Sequence, residues 1–274
     1  MIDGADRQPG AAQVLIMAAV SYIVHNALDL VPDAAVQKLV RACGARRADG
    51  FDLRMWLHSL FMGVSAAGAF LHETITADVV EPAASYLCLP PPSTLAWAIP
   101  AAEMGYAVHD LRDALRVGNV SFILHGAFVG SFCALLFYLG VAHHITVTLV
   151  VHISSVFLNL RRVDFGPQCN TAVDVSFAVS FVLLRILFLP ALWVYFLLYA
   201  RRTDPLTWGA CMLGGRVVYL AFAGGAVMHG LNAYWGWQIV ARLQSRWRDA
   251  DGLGRSGGAE GHYHRSSTVQ QYQD

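Results

Sequence analysis

Lysine is nearly missing from this chain. Lys38 is the only one among 274 residues, and arginine supplies every other basic side chain. A helical pump built on a retinal Schiff base needs a lysine within a span. Lys38 falls in a loop between spans, so that class is excluded. Charge of either sign is scarce too, at 14% of residues where a soluble domain carries roughly a quarter. An ordinary soluble enzyme and a disordered chain are thereby excluded. The five cysteines stand singly, with no CxxC and no metal-ligand spacing, which excludes a disulfide scaffold and leaves no metal or cofactor expected. Formal net charge is zero, so no nucleic-acid partner is implied. A basic leader is also lacking, since Asp3, Asp6 and Arg7 occupy the first ten positions.

What is abundant is apolar surface: 56% hydrophobic residues and a mean hydropathy of +0.46. From Val117 to Leu160 there is no Asp, Glu, Lys or Arg. That stretch holds two spans at about 20 residues each, with a break near Gly140. The expected fold is all-α, a polytopic membrane bundle of about seven helices near 11–31, 55–72, 95–116, 119–139, 142–160, 173–199 and 207–240. Three regions follow: an N-terminal span with a basic cytosolic loop (1–49), a transmembrane domain (50–243) and a disordered polar cytosolic tail (244–274). With the N-terminus outside, the loops assigned to the cytosol collect most of the basic residues, and only Arg7, Arg201 and Arg202 fall opposite. The acidic 72–94 loop lies outside, in keeping with the positive-inside rule.

Ionisable groups within spans cost about 2.5–3.5 kcal/mol on insertion scales, so each asks for a reason. They are His58, Asp110, His125, His143, His144, His152, Arg185, Arg216 and His229. Gly118-Asn119 reads as a helix stop and turn. Asp110 precedes Gly118 by about as much as His125 follows it, which places both roughly 10–12 Å from the turn. The pair is either a carboxylate orienting an imidazole for general-base work or a tie between two helices. His143 and His144, adjacent and therefore about 100° apart on a helix, are expected at the membrane surface. His152 lines a cavity or makes an interhelical hydrogen bond. Arg185, just before Pro190, needs an anion, whether a carboxylate or a lipid phosphate. Tyr234, Trp235 and Trp237 are expected to form an interfacial belt.

Gly105-Tyr106, Asp110-Leu111, Phe122, His125 and the run from Ser154-Ser155 to Asn159-Leu160-Arg161 together resemble the signature of TLC-domain proteins. The similarity runs from about 50 to 243 and is nearest to the small TLC-domain-containing, lipid-homeostasis subgroup related to ceramide synthases. His58-Ser59, Arg185, Asn232 and Trp235 fit its other motifs. The chain departs from the subgroup with His125-Gly126 in place of paired histidines, His152 in place of Glu, and Val156 in place of Pro. His109-Asp110-Leu111-Arg112-Asp113 has the form of a ceramide synthase motif, but it precedes His125 instead of following it.

The resemblance implies a multi-pass protein of lipid homeostasis in the endoplasmic reticulum or another endomembrane. It would bind or sense a membrane lipid between its helices. Asp110, His125 and Arg185 would meet the headgroup, with His152, Ser155, Asn159 and Arg161 as further lipid contacts. Gly126, Gly130 and Ser131 would allow close helix packing. The alternative is an acyltransferase that uses acyl-CoA, with His125 as general base and Asp110 orienting it.

Overall fold

A computed structural model describes residues 10–48, 50–76, 94–138, 142–202 and 216–255. Those residues form helices and connecting turns without a strand, apart from one isolated bridge between Arg47 and Asp164. Helix α1 is Ala11–Asp29, α2 Asp33–Ala42, α3 Leu53–Thr76, α4 Thr94–Val117 and α5 Val120–Tyr138. A 3₁₀ segment, Ala142–Val151, leads into α6, His152–Leu160. Helix α7, Pro167–Phe181, passes through a π-helical stretch, Val182–Phe188, into α8, Leu189–Arg202. Helix α9 is Arg216–Arg255. The described part of each expected span is helical, and 207–215 of the last lie outside the described residues. Three helical runs, Ala11–Asp29, Val120–Tyr138 and Pro167–Tyr195, are long and apolar enough to cross a membrane by length and composition. The proposed break at Gly140 and the acidic loop from 77 to 93 lie outside the described residues.

The outer face of the bundle is apolar, and its interior holds polar groups within an apolar core. Leu15, Ile16, Val20, Ile23 and Val24 project from α1, and Val175, Val179, Leu183 and Leu187 make a fully apolar i, i+4 stripe along α7 and the π segment. Inside lie His25, His58, Glu103, His109, Asn159 and Asn232. An apolar exterior with ionisable groups kept to the interior is the arrangement of helices solvated by lipid.

Local sequence explains the irregular segments. Residues 145–151 are mostly β-branched and restrict χ1, and this run takes the tighter 3₁₀ form. At about 2.0 Å per residue for ten residues, then about 1.5 Å for nine, the 142–160 segment reaches about 33 Å, enough for a hydrocarbon core of about 30 Å. Pro100 sits inside α4 and cannot donate to the carbonyl of Ala96. The Thr146 hydroxyl donates to that carbonyl instead, at 2.7 Å. Pro190 follows the π stretch, where the ring disturbs the preceding turn.

The α4–α5 turn forms where the sequence places it. Gly118 has φ +78°, and the Asn119 side chain accepts from the backbone N–H of Phe122 at 3.3 Å. Gly118→Ala should destabilise the protein by about 1 kcal/mol because a Cβ disfavours that conformation, measurable as a lowered midpoint of thermal unfolding in detergent.

Two features were not expected. Helix α2 falls in the basic loop and buries Val36 and Val40 against Ala45, Ala48 and Val163. The last helix runs to Arg255, past the end expected for the domain near 243. Between loops, Arg46 N–H donates to the Asp164 carbonyl at 2.7 Å and Asp164 N–H to the Arg47 carbonyl at 2.6 Å. The 43–52 and 161–166 loops therefore share one end of the bundle, as the charge distribution requires.

Candidate functional site

Helix α4 supplies the polar stripe of the interior. Glu103, Tyr106, Asp110 and Asp113 are spaced by three, four and three residues and so follow one face. Gly105 lies beside that stripe and lets α1 approach closely, and the Ser21 hydroxyl of α1 donates to the Ala102 carbonyl at 2.7 Å. Facing the stripe, α3 brings His58, whose ring stacks on Tyr106 with centroids 3.5 Å apart and planes 12° apart. His25 of α1 closes over the same pair, at 5.0 Å from His58 and 4.9 Å from Tyr106.

The centre of this arrangement is Glu103. Its Oε2 lies 3.0 Å from His58 Nε2 and 3.3 Å from His152 Nε2. Glu103 and His58 are buried, at 3% and 5% exposure. His152 is the first residue of α6, where the 3₁₀ path turns α-helical. One turn further along α6, Ser154 and Ser155 meet Arg185. The guanidinium donates through Nε to Ser154 Oγ and through Nη2 to Ser155 Oγ, both at 2.8 Å, and through Nη1 to Asn232 Oδ1 of α9 at 3.2 Å. All three acceptors are neutral. Among the described residues no carboxylate forms an ion pair with Arg185.

At the loop-bearing end, a second cluster joins α1, α3 and α4. Arg54 donates to Asp29 Oδ1 at 2.8 Å, Asp113 Oδ2 at 2.6 Å and Asp52 Oδ2 at 3.0 Å. Arg112 donates to Asp29 and to Asn26, and the fully buried His109 lies between them with Nε2 2.8 Å from Asp29 Oδ2. The acidic and basic charges of this cluster oppose one another, so it works as a clamp between helix ends.

The expected Asp110–His125 pair does not form. No hydrogen bond or ion pair joins the two, and His125 Nδ1 is buried without a partner. Equal depth was read correctly, but rotation was not. The residues in contact between α4 and α5 are their neighbours, with the Gly126 backbone against Leu111. The ring of His125 instead stands edge-on to Trp235 of α9 at 5.5 Å. Trp235 accordingly leaves the expected belt, while Tyr234 and Trp237 stay exposed and stack at 6.3 Å.

Other expectations divide. Arg185, Ser155 and, through Glu103, His152 come to the polar interior. Asn159 is buried but donates to the Ser155 carbonyl of its own helix at 3.0 Å. Arg161 is committed to Asp174 at 2.5 Å and lies over the Phe177 ring. His143, expected at the membrane surface, is buried at 6% exposure. The close helix packing expected at Gly126, Gly130 and Ser131 is found at Gly126; Gly130 leaves room for a Cβ beside Ala107, and Ser131 is exposed. The side chains of His144 and Arg216 lie outside the described residues. Glu103 was missed altogether. Its signal was plain, because it is the only carboxylate between Glu81 and Asp110 in an otherwise apolar span.

The TLC domain family model matches residues 53–241, more than half of the chain. No curated protein and no solved structure matches it.

Proposed function

Because the chain belongs to the TLC-domain family, whose members are generally membrane proteins of lipid metabolism and homeostasis, we propose that it holds a lipid with an acidic headgroup or carboxyl against Arg185. One observation carries this reading: a guanidinium inside the bundle whose hydrogen-bond partners, Ser154, Ser155 and Asn232, are all neutral. A charge removed from water needs a counter-charge, and arginine cannot shed its proton to avoid the cost. A phosphate or carboxylate supplies both the charge and the acceptor geometry for the planar fork.

Ser155 and Asn232 then act as the neutral frame that aims the guanidinium. Asn232 Nδ2 is buried without a hydrogen-bond partner and is a further donor for such a headgroup. His125 of α5 stands against Trp235, which lies three residues beyond Asn232 on α9. Acyl transfer from acyl-CoA with His125 as base gains no support from the geometry, because Asp110 does not orient that imidazole. An endomembrane, the endoplasmic reticulum in particular, is the location this reading favours.

The test is the lipid that accompanies the purified protein. Wild type and Arg185→Gln are isolated in mild detergent, and co-purifying lipids are quantified by mass spectrometry. A charge-assisted hydrogen bond contributes about 1.5–3 kcal/mol, so the acidic lipid should fall roughly tenfold or more in the variant. Equal acidic-lipid content in a folded Arg185→Gln protein would sink the proposal.

A further inference from the structure

We propose that His58, Glu103 and His152 form a binding site for a divalent first-row transition ion of the zinc type. Three donor atoms, His58 Nε2, Glu103 Oε2 and His152 Nε2, lie within 4.8 Å of one another. They come from α3, α4 and the start of α6, so their meeting is a product of the tertiary fold and not of local helix spacing.

Both separations to the carboxylate are close to those around a coordinated ion. Zinc takes nitrogen and carboxylate ligands at about 2.0–2.2 Å in a tetrahedron, which sets neighbouring donors about 3.4 Å apart. The two separations to Glu103 are 3.0 and 3.3 Å. The third separation, between the two histidine donors, is within 4.8 Å, so coordination draws the two rings together by at most about 1.4 Å. Two imidazoles and one carboxylate are also the donor set of zinc and ferrous sites that leave a position open.

The surroundings hold these donors in place. Stacking on Tyr106 fixes the His58 ring plane, and His152 stands edge-on to His58 at 5.1 Å. His152 also begins the α-helical turn that ends a ten-residue 3₁₀ run. Such runs rarely exceed three or four residues, and irregular turns of this kind gather at functional positions. A carboxylate buried in the bundle needs a cation, and both imidazole nitrogens aim at the same oxygen of it. An ion between the three donors supplies that charge at one point.

This site and the Arg185 site rest on different side chains and have different readouts, metal content in one case and lipid content in the other. The full chain, purified in detergent, is loaded with Zn²⁺, dialysed against metal-free buffer and assayed for bound metal. A parallel sample is loaded with Co²⁺, whose visible ligand-field absorption reports its donors. Wild type should retain about one ion per chain, and Glu103→Gln and His58→Ala less than about a tenth of that. As these two variants can fail to fold, His152→Cys serves as the third. It keeps a metal donor and should add a thiolate-to-cobalt charge-transfer band that wild type lacks. The proposal is overturned by wild type that retains less than about a tenth of an ion. It is equally overturned by folded Glu103→Gln with wild-type metal content, or by a His152→Cys cobalt spectrum identical to that of wild type.

Discussion

Gly105→Ala is expected to destabilise the protein by at least about 3 kcal/mol, the upper end of what overpacking costs. A Cβ at position 105 would stand 2.1 Å from the Ala18 carbonyl oxygen and 2.9 Å from Ser21 Cβ. The obstacle is backbone, so no rotamer change relieves it. Helix α1 must move away from α4, which breaks the Ser21–Ala102 hydrogen bond and lifts His25 off Tyr106 and His58. Two other glycines provide a graded comparison. At Gly126 the added Cβ meets Leu111 backbone at 3.1 Å, and at Gly130 it meets only the Ala107 side chain at 3.7 Å. Thermal unfolding in detergent should therefore rank the alanine variants Gly105, then Gly126, then Gly130, with the last close to wild type. A Gly105→Ala protein as stable as Gly130→Ala would show that α1 does not pack as described.

This glycine also shows how far the sequence could be read. Gly105-Tyr106 was recognisable as part of a family pattern, yet nothing in the pattern says that glycine admits α1 and tyrosine stacks on a histidine of α3. Helix positions were legible because apolar runs and turn residues are local signals. Gly118 ended α4 where a helix stop stood in the sequence. Depth was legible as well, since it follows from counting residues from the turn. Rotation about the helix axis was not, and one position of rotation separates an Asp110–His125 contact from the observed Leu111–Gly126 contact. The Glu103 cluster was illegible for a related reason. Its members come from separate helices, so no spacing along the chain announces them. Arg185 was legible because a charge in mid-span is conspicuous by itself, although its neutral partners were not foreseeable.

Arg54→Met should cost about 2–3 kcal/mol. Breaking a buried pair by removing one partner costs about 3–5 kcal/mol, and the lower figure allows for solvent screening of carboxylates that are about a third exposed. The side chain itself is only 10% exposed and holds three carboxylates from α1, α4 and the turn before α3. Without it, Asp29 and Asp113 keep Arg112 as their main cation, while Asp52 loses its ion pair and keeps only the Met55 backbone N–H. Methionine retains most of the stem's packing, so the loss reports charge and hydrogen bonding. A double-mutant cycle with Asp113→Asn separates the pair from its surroundings. If Arg54 clamps α3 to α4, unfolding measurements should give a coupling of about 1–2 kcal/mol between the two positions. The same coupling should shrink in high salt, because the carboxylates are partly exposed. Additive effects of the two substitutions would remove Arg54 as the clamp. They would leave the close approach of the helices at Gly105 and the Arg47–Asp164 bridge to hold that end of the bundle together.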